Sequence, residues 1–216
     1  MKYAARALGA SVAIFTILIA YAVARYPGGT WADHGTRGYD PLHNFICDLI
    51  EPIALDGETN AASARAAITA IVVLSAGLAL TWSLLPAFFP PDARRLGVVV
   101  RALGIVSTLG IVAVPLTPAK SWYWSHAGAV LFAGASGLAA AATSVVGLTR
   151  SRDARALAAL GCFVVAVVLV DVALYVHQLI VVGNPSIWLS LLEVVATVAL
   201  LAWLGAIALR WRRIGG

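Results

Sequence analysis

Six long apolar runs, separated by short polar or basic turns, limit this chain more than any other feature. They lie near residues 7–25, 62–89, 96–116, 125–148, 156–181 and 187–209. Each can cross a hydrocarbon core of about 30 Å, which takes roughly 20 residues as helix. Inside a bilayer every backbone N–H and C=O must be satisfied within the segment, so such runs fold as helices. Only 12% of the residues are charged against 61% hydrophobic, whereas a soluble domain carries about 25% charged residues. The expected fold is therefore all-α: a polytopic membrane protein of six transmembrane helices in one domain spanning 1–216.

The N-terminal run begins with charged residues like a signal peptide, and AVA before Arg25 resembles a cleavage site. Its apolar stretch is longer than a signal core, and we read it as an uncleaved first span. The net charge of +5 would suggest nucleic acid in a soluble protein. Here the cations sit at span ends, and nucleic acid is not an expected partner. In a six-span arrangement Lys2, Arg6, Arg94, Arg95, Arg101, Arg150, Arg152, Arg155, Arg210, Arg212 and Arg213 share one side, while Arg25, Arg37, Arg65 and Lys120 share the other. Positive charge is retained in the cytoplasm. This bias predicts a multi-pass protein of the inner (plasma) membrane with both termini cytoplasmic, and a loop over 26–61 that faces outward.

That loop carries the stretch HNFICDLIEPIALDGETN, His43 to Asn60, with Asp48, Glu51, Asp56 and Glu58 inside it. Asp40 is a good N-cap before Pro41 at a first helical position. A helix from there would place Asp40, Asn44 and Asp48 on one face and Leu42, Phe45 and Leu49 on the other. The expectation is a short outer amphipathic helix on the membrane interface, able to act as a lid. Thr59 or Asn60 is expected to cap the second span. In the fourth span Ala133, Gly137 and Ala141 repeat at four-residue spacing, a small-residue pattern that lets helices approach closely in lipid. It suggests that this span is central to the bundle. The two cysteines, Cys47 and Cys162, fall on opposite sides, so no disulfide is expected between them.

A carboxylate inside a span is costly and usually faces a partner or a cavity. Asp171 lies roughly 15 Å from the outer end of the fifth span and Glu193 roughly 9 Å into the sixth, at helical rise. Asp171, Tyr175 and Gln178 form one polar stripe, and Ser186, Ser190, Glu193 and Thr197 form another. Spans joined by a short turn are antiparallel neighbours, so the stripes are expected to face each other. They serve either as an interhelical hydrogen-bond network or as a working pocket. With His126 and His177 near the outer ends of their spans, the pocket reading assigns Asp171, Glu193, His126 and His177 to acid–base chemistry. It assigns His43, Asn44, Asp48, Glu51, Tyr175, Gln178 and Ser190 to substrate binding.

No HExxH or HxxxH spacing is present, so no metal is assigned. Two axial histidines for haem, His126 and His177, are an alternative reading, and the residues name no cofactor. Nucleophile-elbow and phosphate-loop motifs are missing.

NFICDL, the acidic loop, Asn60 at the start of the second span and SHAGAVLF in the fourth together resemble a bacterial six-span family known as domain of unknown function 998. The layout is more distantly similar to the eukaryotic autophagy-modulator and GPI-remodelling membrane proteins. Residue by residue the resemblance touches Asn44, Asp48, Leu49, Asn60 and His126. Cys47 and Ile50 depart from the family's preferred Ser and Gly. The resemblance implies a lipid-related or membrane-organising role. The leading functional expectation is binding or processing of a lipid or amphiphile at the outer leaflet, with membrane lipids as partners and a homo-oligomer left open. A small proton-coupled transporter and a non-enzymatic scaffold are the competing readings.

Overall fold

The computed structural model describes residues 2–181 and 186–214. Six helices account for nearly all of it: α1 Lys2–Arg25, α2 Ala61–Leu84, α3 Arg94–Ala113, α4 Ala119–Thr149, α5 Arg155–Ile180 and α6 Ile187–Ile214. All six are long and apolar enough to cross a membrane, and the chain is an all-α polytopic membrane protein. Consecutive helices pack on one another and α6 returns to α1, which closes the bundle into a ring. One end of the ring carries the 26–60 segment and is called the loop end. The other carries the N-terminus, the end of α6 and the turns before α3 and α5, and is called the terminal end.

Helix ends differ from the sequence expectation where local chemistry extends them. Helix α4 begins at Ala119 rather than near 125, because Pro118 stands at the N-cap and fixes the entry. Trp122 then breaks the helical geometry with φ −136° and ψ 46°, so the first turn is set at an angle to the span. At the other end of the chain the basic RWRR run continues α6 to Ile214.

The small residues at 133 and 137 do produce a close approach, and their partner is α3. Ser107 Oγ donates to the carbonyl of Ala133 at 2.8 Å. A Cβ on Gly110 would meet Ala133 at 2.9 Å, and one on Gly137 would meet Ser107 Oγ at 2.6 Å. Without a hydrophobic force between helices in lipid, such packing and hydrogen bonds hold the seam. Helix α4 is not central to the bundle, because a closed ring has no central helix. The interior is filled instead by side chains that reach across it.

Trp82 of α2 and Trp203 of α6 meet edge to face with centroids 6.3 Å apart. Trp203 also donates its indole N–H to the Leu157 carbonyl of α5 at 3.0 Å. Gly104 is required where α3 crosses Trp82, since a Cβ there would lie 2.1 Å from the indole ring. Towards the terminal end, Trp211 stacks on Phe88, and Leu8, Leu85, Leu204 and Ile207 complete a packed floor.

Candidate functional site

The loop end is closed by the segment between α1 and α2, which is inserted into the ring. Tyr26 and Tyr39 pack edge to face at 5.9 Å, and the Tyr26 hydroxyl accepts from the Leu55 amide at 3.2 Å. Gly29 sits at φ +82° with the backbone of Leu55 and Asp56 pressed against it, so a Cβ would come within 2.2 Å of the Asp56 nitrogen. Only glycine serves where a positive φ and so close a backbone coincide. The loop is thereby folded back on itself, and residues 44–55 are pushed inward.

The expected amphipathic helix takes a different form. A turn at 41–43 is followed by a 3-10 helix, Ile46–Ile50, and its polar face points inward. Asn44 is fully buried, and Asp48 and Glu51 are each 4% exposed; a lid lying on the surface would leave them in water. Alternation alone could not reveal this, because the polar residues find partners only in distant parts of the chain. Buried polar groups must be satisfied, and here they are. Asn44 accepts the Asp40 amide at 2.9 Å and donates to the Gly29 carbonyl at 2.9 Å and to Asp48 at 3.2 Å. Asp48 also accepts the Phe45 amide at 2.8 Å and a bond from the Trp31 side chain.

Several side chains tie this plug to the helices. Glu51 Oε1 accepts the amides of Ala119 at 2.5 Å and Lys120 at 3.3 Å, placing a carboxylate on the positive end of α4. Lys120 returns the contact through its ammonium, which donates to the carbonyls of Ile53 and Ala54 at 2.8 and 2.7 Å. Asn60 does stand at the N-cap of α2, but its side chain makes no capping bond. Its amide donates instead to the carbonyls of Asp48, Leu49 and Glu51. The Asn60 Oδ1, the atom that would accept in a cap, is buried without a partner.

One of the two span carboxylates is bonded to the plug directly. Glu193 Oε2 accepts the amide of Ile46 at 2.8 Å, joining α6 to the start of the 3-10 helix, and it lies within electrostatic range of Asp171 and Asp48. The neighbouring loop groups register this concentration of acid. Burial, with Glu193 and Asp48 adding to it, pushes the Tyr39 phenol far above its ordinary value. The half-buried Cys47 thiol is pushed up by burial and by Glu193, Asp48 and Glu51. Asp48 itself is raised by burial to about 6, against its hydrogen bonds and with Glu51 adding to the rise. A carboxyl poised there can give or take a proton near neutral pH.

A pH effect follows. Asp48 ordinarily titrates at 3.8 and in the fold at about 6, so the folded state binds the extra proton between those values. Stability therefore falls as pH rises through that window. Amide exchange over 44–55, corrected for intrinsic rate, is expected to be slower at pH 5 than at pH 7. In Asp48→Asn this difference should shrink.

The other expected site residues divide. His126 is buried, and its Nδ1 donates to the Thr117 carbonyl at 2.7 Å, a bond that fixes the turn before α4. Ser190 is buried near Glu193 on α6, and Tyr175 and Gln178 are half-buried on α5. Tyr175 is within electrostatic range of Cys47 and Glu193. His177 is exposed at the end of α5, and His43 pairs with Asp40 at 2.7 Å at the surface. Neither is brought to the carboxylates. Among the described residues no three His, Cys, Asp or Glu side chains converge as a metal site.

Below the carboxylates lies a feature that sequence reading missed, a partly open apolar cavity of about 160 Å³ lined by α2, α3, α4, α5 and α6. Trp82, Trp203, Ser107, Gly134, Val168 and Leu200 are among the residues that line it. One signal was available: tryptophan favours the membrane interface, and Trp203 stands far from either end of its helix.

The fold and site together define a polytopic membrane protein whose loop end is plugged by the 26–60 segment, with Glu193 of α6 bonded to the plug. Compared with known proteins, the chain matches no family model, no curated protein and no solved structure.

Proposed function

We infer that this protein binds or processes a lipid or other amphiphile at the loop end of the bundle, with Asp171, Glu193 and Asp48 as the polar centre. The observation that carries the reading is the placement of Glu193. A carboxylate within a span is bonded to the plug through Ile46 and shares its surroundings with two further carboxylates. Packing alone does not call for three acids in one place. The cluster lies at the loop end of the bundle, which in this topology is the level of the outer headgroups. The basic residues at the terminal end favour cytoplasmic termini, so the site opens to the outer leaflet of the inner membrane. A cysteine placed at exposed Ala32 is then expected to react with an impermeant thiol reagent from outside intact cells.

The test of function is the double variant Asp171→Asn, Glu193→Gln. Amide and carboxyl are close in size, and Glu193→Gln can still accept the Ile46 amide, so the bundle is expected to stay folded. Lipid that co-purifies with the wild-type protein, measured by mass spectrometry of the detergent extract, should fall about tenfold or more, the loss of one well-placed charged contact. Unchanged occupancy would mean that the two carboxylates serve packing alone.

A further inference from the structure

We propose that the apolar cavity holds the tail of a single-chain amphiphile whose cationic head sits at the Asp171–Glu193–Asp48 cluster. The proposal deepens the lipid reading above and rests on it.

Register connects the two halves of such a site. On α5, Val164 and Val168 line the cavity, and Asp171 and Tyr175 continue the same face at the next two turns. On α6, Leu200 and Trp203 line it, and Glu193 stands seven residues before Leu200 on the same face. Each helix therefore passes from apolar wall to carboxylate within about 10 Å or less at helical rise. This is the order of groups along an amphiphile.

The size and lining of the cavity suit hydrocarbon. Its volume of about 160 Å³ is close to the roughly 150 Å³ of apolar cavities that take up benzene, enough for the tip of one chain, and it is a partly open cleft rather than an enclosed void. Water needs two to four polar partners to settle in such a space. The wall offers few, since the Ser107 hydroxyl proton is already given to the Ala133 carbonyl. Trp82, 3% exposed and in the wall, carries an indole N–H with no acceptor. Asp171 Oδ1, one turn above Val168, is buried without a donor.

Charge selects the head. Neither ion pair among the described residues involves Asp48, Asp171 or Glu193. Of the cations at this end, Lys120 is bound to the Ile53 and Ala54 carbonyls, and Arg25, Arg37 and Arg65 are exposed. No cation among the described residues is paired with these three carboxyl groups, so an amine or quaternary ammonium head would favour their charged form, while a phosphate or carboxylate head would find no partner cation there.

The experiment uses full-length protein in phosphatidylcholine nanodiscs, with decylamine carrying a diazirine at its far end and the matching decanoic acid as control. On illumination the amine should form adducts at Val164, Val168 or Leu200, about tenfold above the acid, the factor a single charge contact supplies. Gly134→Leu, or Leu200→Phe as a second way of filling the space, should remove these adducts while leaving the melting temperature close to wild type. The Asp171→Asn, Glu193→Gln variant should bring the amine-to-acid ratio towards one. Adducts confined to the lipid-facing Phe163, Leu169 and Val198, equal labelling by the acid, or cavity adducts that survive both filling variants would overturn the proposal. If the cavity stays unlabelled while co-purified lipid is still lost in the double carboxylate variant, this inference fails and the reading of the site stands. Cavity labelling with undisturbed co-purified lipid does the reverse.

Discussion

Trp203→Ala is expected to destabilise the bundle by about 3–5 kcal/mol, the range for truncating a large buried aromatic. Trp203 is fully buried and holds three helices at once, through its edge contact with Trp82 of α2, its bond to the Leu157 carbonyl of α5 and its own place on α6. Alanine removes the contact and leaves that carbonyl without the indole donor. It also joins the vacated volume to a cavity that is already about 160 Å³. Hydrocarbon from the bilayer can refill part of the space, and that lowers the cost without restoring the hydrogen bond. Trp203→Phe separates the contributions, because it keeps most of the packing and loses only the N–H; a loss of about 1 kcal/mol is expected for it. Thermal melts in nanodiscs read both. Should the Ala and Phe variants melt alike, the aromatic contact is not what holds the interior together.

Asn60→Ala is expected to open the plug with little effect on the helices. The side chain donates to three loop carbonyls, Asp48 at 3.4 Å, Leu49 at 3.1 Å and Glu51 at 2.9 Å. Two of these keep another partner, since Leu49 also accepts Ser63 Oγ and Asp48 also accepts the Glu51 amide. The Glu51 carbonyl bears the larger penalty. Leaving a buried carbonyl unsatisfied costs about 1–3 kcal/mol, and the lost bonds concentrate on residues 48–51. Amide exchange over 44–55 should rise by at least about tenfold, the factor for 1.4 kcal/mol, and Cys47 should become more reactive towards thiol reagents. Protection in α3 and α5 should not change. Asn60→Asp is the informative companion. It supplies a good N-cap acceptor for α2 but no donor to the loop, so it should open the plug as Ala does. An Asp variant with wild-type protection would show that capping, not the carbonyl contacts, is what Asn60 contributes.

The six spans, the all-α class and the segregation of basic residues were legible in the sequence, because hydropathy and span length depend on each segment alone. The span carboxylates Asp171 and Glu193 were legible for the same reason. A charged group in an apolar run calls for an explanation wherever the helix is placed. The small residues Ala133 and Gly137 announced a close helix contact, since only the absence of a side chain permits one. Their partner, α3, was not announced.

Tertiary structure decided everything that depends on which groups meet. The alternation in 41–50 is compatible with a surface helix. Gly29, Asn60 and Lys120, none of them inside that stretch, supply the backbone fold and the bonds that turn it inward. Glu193 acquires its partner through the Ile46 amide, 147 residues away in the chain, and a backbone N–H has no signature in sequence. His126 and His177 look equivalent as interface histidines. One faces the Thr117 carbonyl and the other faces outward, because the rotation of each helix is set by its packing and not by its composition. The cavity exists only as a shortfall between side chains of five helices. A volume left between helices belongs to no residue, and no reading of one strand of sequence contains it.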